Sequence, residues 1–174
     1  VGYYNMDLLA AAGIDSIPTN WDEVIDACGK LEAAGSGTLY FGWNITGNWF
    51  HQALMHTQNV KIVEGGKVNL GGDAGLKTLQ QMHDIMSGCN MPNYSIADGQ
   101  AAFNAGTIGM MFWSTSSLGS VNAAKADFVL KTAPFPGMAG VNNGTPARLP
   151  AGGNAAMLTS TSDDPARVDA AWTF

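Results

Sequence analysis

The stretch of residues 97–121 constrains the fold most, because it joins a helix, a buried strand and a hydroxyl-rich turn without a linker. It predicts a helix that ends at Gly106, a short buried strand over residues 108–113, and a turn that opens another helix. The turn consists of Ser114, Thr115, Ser116 and Ser117. A strand that runs straight into a helix start leaves backbone N–H groups and hydroxyls at one place. This arrangement is suited to holding a polar ligand, and it says little about catalysis.

Strands and helices alternate along the rest of the chain. Strands are predicted over residues 1–5, 39–43, 61–63, 67–69, 125–133 and 149–158. Helices are predicted over residues 6–12, from Trp21, over residues 49–59, 73–86 and 96–105, and from Pro165. Alternating strands and helices, with more residues in the helices than in the strands, indicate the α/β class.

Two predicted helices carry apolar residues at helical spacing, so we expect each to pack one face on the core. The first begins after Thr19, a predicted cap, and its carboxylates at Asp22, Glu23 and Asp26 are expected to form a solvated face. Its apolar positions are Trp21, Val24, Ile25, Cys28, Leu31 and Ala34. Those of the second helix are Leu76, Leu79, Met82, Ile85 and Met86.

Composition excludes several classes of function. The 174 residues, 46% of them hydrophobic, are enough for one domain or one lobe of a larger protein. A net charge of -6 argues against a nucleic-acid partner and disfavours an anionic membrane surface. No apolar run approaches the ~20 residues of a membrane-spanning helix. Because the chain starts at Val1 and stops inside a predicted helix, we expect it to be a fragment.

Three aromatic or basic residues are candidates for contact with a ligand. Trp49 follows a predicted polar turn, which favours stacking on a sugar ring or polyol over packing in the core. His51 is expected to contact a ligand beside Trp49. For Trp113, at the end of a buried strand, core and site are equally good interpretations. Trp21 and Trp43 are better explained by packing.

The hydroxyls and glycines that follow two predicted strands are further candidates. A helix cap needs one hydroxyl, so Ser114, Thr115, Ser116 and Ser117 are a surplus, although capping alone remains an alternative. Gly152 and Gly153 interrupt a predicted strand, which suggests a bulge or a close approach of backbone to a bound molecule.

No motif supports an enzyme. Motifs of the GxSxG, GxGxxG, GxxxxGK[ST] and HExxH types are absent, His51 and His56 lie five residues apart, and His83 is expected on a helix surface. We therefore expect no catalytic residue, no metal and no cofactor. Cys28 and Cys89 cannot form a metal site alone; a buried free thiol and a disulfide in an oxidising compartment both remain open.

Six motifs follow one another along the chain: YYN-MDLLAAAGID, P-T-N-WDEV, DGQAAFNAGTIGMMFWSTSS, PFPG, PAGGNA and a Pro-led helix with AAW. In this order they resemble family 1 extracellular solute-binding proteins. These are the sugar-binding and glycerol-3-phosphate-binding components of ABC importers. The resemblance covers essentially the whole chain. It implies a type II periplasmic-binding-protein-like lobe, with a mixed sheet flanked by helices.

The resemblance further implies that the 174 residues form a single domain, most of the C-terminal lobe of a two-lobed protein. The first lobe and the C-terminal helices would then be absent from this chain. The family's ligand-facing positions fall near Trp49, over residues 113–117 and at Gly152 and Gly153. Implied partners are a small solute, the missing first lobe and the membrane permease of an ABC importer. The implied location is periplasmic or extracellular, with a lipid anchor as an option.

The chain departs from the maltose-binding type, since Ser116 and Ser117 stand where a second aromatic residue is found. This favours a smaller polar ligand and a likeness to the glycerol-3-phosphate-binding branch. Arg148 is the cation nearest in sequence to the glycine pair, and a helix N-terminus with hydroxyls can hold phosphate without one. The alternative function is a non-transport interaction or scaffold domain that keeps the lobe fold and oligomerises.

Overall fold

The computed structural model describes residues 1–141, 149 and 164–173, with the backbone alone for residues 43–47. The strands in this part of the chain are β1 (Gly2–Asn5), β2 (Gly37–Phe41), β3 (Val63–Glu64), β4 (Lys67–Val68), β5 (Ile108–Phe112) and β6 (Leu130–Ala133). The helices are α1 (Met6–Ala11), α2 (Trp21–Ala33), α3 (Trp43–Thr57), α4 (Gly72–Gly88), α5 (Ile96–Asn104), α6 (Leu118–Ala124) and α7 (Pro165–Thr173). A 3₁₀ turn, Thr115–Ser117, leads into α6.

Four of the described strands form one mixed sheet in the order β2-β5-β1-β6. Strands β2 and β5 are parallel, with Phe41 paired with Phe112, whereas β1 runs antiparallel to both β5 and β6. Strands β3 and β4 form a separate hairpin at the predicted position. The α/β class, with a mixed sheet flanked by helices, is confirmed.

Helices cover both faces of the sheet. Because side chains alternate along a strand, Tyr3 and Tyr4 enter different clusters on opposite faces. The larger cluster packs the sheet against α1, α2, α3 and α4, and the smaller one packs it against α5 and α6. The result is a three-layer architecture with two apolar cores.

Strand β5 is buried along its whole length, between the two cores. A Cβ at Gly109 would lie 2.5 Å from Cδ1 of Leu31, a fully buried side chain of α2. Glycine at this position therefore lets α2 approach the sheet closely.

We expect Gly109→Ala to lower the free energy of unfolding by about 1–3 kcal/mol, because buried Leu31 has little room to move away. Gly29→Ala is the matched control, since that exposed α2 position has open space around it. It should stabilise the protein by about 0.5–1 kcal/mol, since alanine favours the helix. Urea unfolding followed by circular dichroism would measure both changes, and equal stability of the two variants would contradict the close approach.

The cap of helix α2 lies one residue later than predicted. The side chain of Asn20, not Thr19, accepts the N–H of Glu23, while the N–H and hydroxyl of Thr19 donate to the Glu23 carboxylate. The hydrogen bond from the Thr19 backbone is the main cause that lowers the pKa of Glu23. The predicted solvated face of carboxylates is confirmed. The predicted apolar face differs in one position, because Ala34 lies exposed beyond the helix end and Ala27 is buried instead.

A disulfide joins Cys28 of α2 to Cys89, directly after α4, across 61 positions of sequence. Both cysteines are fully buried. The hydroxyl of Thr38 in β2 donates to the Cys89 carbonyl, and the Asn90 amide donates to Glu32 at 2.9 Å. The end of α4 is thus joined to both α2 and β2. Of the two states that the sequence left open for these cysteines, free thiols or a disulfide, the structure has the disulfide.

The predicted boundaries of α3 and β6 are wrong. Helix α3 starts at Trp43, directly after Gly42, so the predicted polar turn over residues 44–48 is helical. Local propensity is a weak guide where the tertiary structure fixes the helix start. Strand β6 is shorter than predicted, because Lys125 ends α6 and donates through Nζ to the Phe128 carbonyl at 2.7 Å.

The predicted core stripe of α4 is also largely wrong. Of its members, Ile85 is buried and Met82 is half-buried, whereas Leu76, Leu79 and Met86 are 67%, 57% and 53% exposed. Thr78 is buried instead, and its hydroxyl contacts the Met55 sulfur at 3.3 Å and the Gln58 amide at 2.9 Å. The apolar arc of α4 is wider than the surface that α2 and α3 cover. Periodicity alone therefore did not predict which of its apolar residues are buried.

We therefore expect Leu79→Gln to change the free energy of unfolding by less than about 0.5 kcal/mol, as surface substitutions usually do. Ile85→Ala, at a buried position of the same helix, should lower the free energy of unfolding by about 2–5 kcal/mol through lost burial and a cavity. Thermal or urea unfolding of the two variants gives the comparison. A cost above about 1.5 kcal/mol for Leu79→Gln would mean that this stripe is covered in solution.

Candidate functional site

Strands β2, β5 and β6 end at the same side of the sheet, which we call the carboxyl edge. Phe41 and Phe112 are paired there as the last residues of two parallel strands, and Gly2 of β1 lies opposite both Phe112 and Ala133. Helix α3 starts two residues after the end of β2, and the 3₁₀ turn starts three residues after the end of β5. In open α/β sheets, ligands bind outside the carboxyl ends of the strands, so this edge is the candidate site.

The four residues Ser114, Thr115, Ser116 and Ser117, the serine turn, follow β5 at this edge. Ser114 is extended and caps the turn, since its Oγ accepts the N–H of Ser116 at 3.2 Å. Its Oγ also lies 2.8 Å from Oγ of Ser116. Ser114, Thr115 and Ser116 are exposed and Ser117 is half-buried. Capping therefore occupies one hydroxyl of the four, and it leaves a group of exposed hydroxyls at the edge.

Trp113, between β5 and the serine turn, is half-buried against Tyr40 of β2. Their ring centroids are 6.0 Å apart with planes tilted by 31°. Tyr40 also meets Tyr94, which precedes α5, at 6.2 Å in an edge-on arrangement. The three rings form an aromatic row that ends beside the serine turn.

Tyr40 and Tyr94 are site neighbours that the sequence analysis missed. Tyr40 is buried, burial raises the pKa of its phenol, and its hydroxyl finds no hydrogen-bond partner among the described residues. Strand alternation was the available signal: it puts Tyr40 on the face opposite Leu39 and Phe41, and therefore on the same face as the neighbouring Met111.

Beneath the edge, on the other face of the sheet, an aromatic cluster fixes the position of α3. Trp21, which is 1% exposed, lies 4.9 Å from both the Phe50 and Phe112 rings and 5.1 Å from Phe135. Phe41 is 4.7 Å from Phe50. The packing role predicted for Trp21 is confirmed. Phe50 thereby anchors α3, and the neighbouring Trp49 is carried with it.

Trp49 and His51 lie on α3, which begins at the carboxyl edge. Trp49 is 42% exposed, although its neighbour Phe50 is buried, and His51 is half-buried. None of the hydrogen bonds or ring contacts within the described part of the chain joins these two residues to Trp113 or the serine turn. The structure thus brings Trp113 and the serines together. Trp49 and His51 share with them only that their helix, α3, begins at the same edge of the sheet.

Several other candidates have simple outcomes. Gly152, Gly153 and Arg148, and the side chain of Trp43, lie outside the described residues. His83 is exposed on α4, as predicted. Over residues 1–141 and 164–173, no group of three or more His, Cys, Asp or Glu side chains is placed to hold a metal ion. In the same part of the chain, none of the helices combines the length and apolarity that crossing a membrane requires.

The fold and the edge define a class: an α/β unit that presents hydroxyls, backbone N–H groups and aromatic rings at the carboxyl ends of its strands. The sequence model of one family, described as bacterial extracellular solute-binding protein, matches residues 1–174. The chain belongs to this family, which consists of solute-binding proteins rather than enzymes.

Among curated proteins, a binding protein of Brucella abortus (strain 2308) is 29% identical over 122 residues. That alignment covers 63% of this chain and 28% of the Brucella protein. The matching binding protein of Brucella suis biovar 1 gives the same values.

Solved structures share the fold at lower identity. A family 1 extracellular solute-binding protein from Bifidobacterium longum subsp. infantis has a TM-score of 0.65 at 21% identity, over 79% of this chain and 38% of that one. The GacH receptor of Streptomyces glaucescens, solved unliganded and with acarbose, has a TM-score of 0.67 at 19% identity, over 80% and 38%. The cyclic alpha-maltosyl-1,6-maltose binding protein from Arthrobacter globiformis has 0.64 at 21%, over 80% and 37%. This chain therefore spans well under half the length of the proteins that it matches.

Proposed function

We propose that the carboxyl edge is one wall of a cleft that binds a small polar solute of the sugar, polyol or glycerol-3-phosphate class. The observation that carries the proposal is the placement of Trp113 beside the exposed hydroxyls of Ser114, Thr115 and Ser116, where β5 ends. An aromatic ring offers a surface for the apolar face of a sugar, and hydroxyls satisfy its hydroxyl groups. Together they favour a polyhydroxylated ligand.

The second wall of the cleft, in this proposal, belongs to a separate lobe, and the chain supplies most of the C-terminal lobe of a two-lobed protein. Support comes from the length comparison, since the solved relatives are more than twice as long as the part that this chain matches. The names of two relatives, an acarbose-bound receptor and a maltosyl-maltose binding protein, support the sugar class. Delivery to the permease of an ABC importer follows as the proposed role of the whole protein.

The proposed location is periplasmic or extracellular, with a lipid anchor as an option. The buried Cys28–Cys89 disulfide supports an oxidising compartment. One solved relative is described as a probable secreted solute-binding lipoprotein from Streptomyces coelicolor. Family membership does not favour the alternative of a non-transport scaffold domain.

Trp49 and His51 are proposed as ligand contacts reached from α3, and Gly152 and Gly153 as a backbone contact. Trp49 has the exposure that such a role requires. The serine turn and Trp113 remain the part of the proposal with the most structural support, because their side chains lie at the edge itself.

A titration of the 174-residue protein tests the proposal. Glucose, maltose, glycerol and glycerol-3-phosphate would be added separately to ¹⁵N-labelled protein, with the Trp113 indole and the amides of residues 114–117 observed by NMR. One wall alone offers half of the contacts, so we expect saturable shifts there with a Kd in the millimolar range, roughly -4 kcal/mol. A response to glycerol-3-phosphate without one to glycerol would assign a phosphate group to the serine turn.

We expect Ser116→Ala to raise the Kd three- to tenfold, because one hydrogen bond contributes about 1 kcal/mol. Ser87→Ala is the matched control: Ser87 is an exposed serine of α4 whose hydroxyl bonds only the local His83 and Asp84 carbonyls. Nanomolar affinity from this chain alone would contradict the one-wall proposal. Shifts confined to residues other than 113–117 would place the site elsewhere.

A further inference from the structure

The start of β1 is hydrogen-bonded to the residues that open the serine turn. Val1 and Trp113 exchange two backbone hydrogen bonds, of 2.9 Å and 3.1 Å. One step further, the Tyr3 hydroxyl donates to the Ser114 carbonyl at 2.6 Å. The last of these bonds joins a side chain of one strand to the backbone just beyond the end of its neighbour.

Tyr3 is fully buried among apolar side chains, including Phe103, whose ring meets it edge-on at 6.3 Å. Phenylalanine would fill the same space, so packing alone does not explain a hydroxyl at this position. Burial raises the pKa of Tyr3, and the phenol therefore stays a donor at physiological pH.

The carbonyl that accepts this bond belongs to Ser114, the first residue of the serine turn. The Ser114 carbonyl also accepts the N–H of Ser117 at 3.2 Å, which closes the 3₁₀ turn. The side chain of the same residue accepts the N–H of Ser116 and lies against its hydroxyl. Fixing one peptide group therefore fixes the directions of two exposed hydroxyls.

We propose that Tyr3 is a positioning residue, which orients the Ser114 and Ser116 hydroxyls of the serine turn through the Ser114 carbonyl. Its effect on ligand affinity rests on the function proposed above; its effect on the turn does not. Tyr3 itself is buried beneath the edge and acts without touching the ligand.

Adjacent Tyr4 supplies a matched control. It is also fully buried and packs edge-on against an aromatic ring, that of Phe112 at 6.0 Å, on the other face of the sheet. Its hydroxyl has no hydrogen-bond partner among the described residues. Tyr4→Phe thus removes the same atom from the same strand without removing a hydrogen bond to the turn.

The test compares Tyr3→Phe with Tyr4→Phe in the 174-residue protein. Amide hydrogen exchange at Ser116 and Ser117 should become at least tenfold faster in Tyr3→Phe and stay unchanged in Tyr4→Phe, with the amides of β5 unchanged in both. In a titration with maltose, Tyr3→Phe should raise the Kd three- to tenfold, and Tyr4→Phe should leave it unchanged.

Each outcome decides between the two proposals. Unchanged exchange at the serine turn overturns the positioning role, whatever the protein binds. Faster exchange throughout β5 also overturns it, because the hydroxyl would then serve general stability. Faster exchange at the turn alone, in a protein that responds to no sugar, polyol or glycerol-3-phosphate, supports the positioning role and overturns the proposed function.

Discussion

The parallel pairing of β2 with β5 is the constraint on which the rest of the structure depends. Parallel strands end at the same side of a sheet, and here each one leads directly into a helical segment. Two helix starts are thereby placed side by side. The antiparallel β1 adds its first residues to the same edge, so three segments that are distant in sequence meet where the ligand is proposed to bind.

The sequence predicted this edge best where local pattern and burial agree. The buried strand, the glycine before it and the serine turn after it were found because an apolar run ended abruptly in hydroxyls. The position of Trp49 within α3 was missed, since its helix starts where β2 ends and not where propensity rises. Tyr40 and Tyr94 were missed because their meeting with Trp113 depends on strand order, which no local pattern contains.

Helix α4 shows a different limit of sequence reasoning. Its apolar residues do follow helical spacing, yet Leu76 and Leu79 face outward while Thr78 faces inward. Periodicity gives the width of an apolar arc, and the neighbours decide which part of the arc is covered. The disulfide is similar: two cysteines 61 positions apart carried no spacing signal, and only the packing of α2 on α4 brings them together.

The burial of that disulfide has a consequence for how the protein is made. Since neither sulfur reaches solvent in the folded state, an oxidising enzyme can act on the pair only while the α2–α4 packing is still open. Enzymatic bond formation therefore precedes closure of the core or requires a local opening of it. A chain that completes its core in a reducing compartment would hold two buried thiols, which an external oxidant could reach only through local opening of the α2–α4 packing.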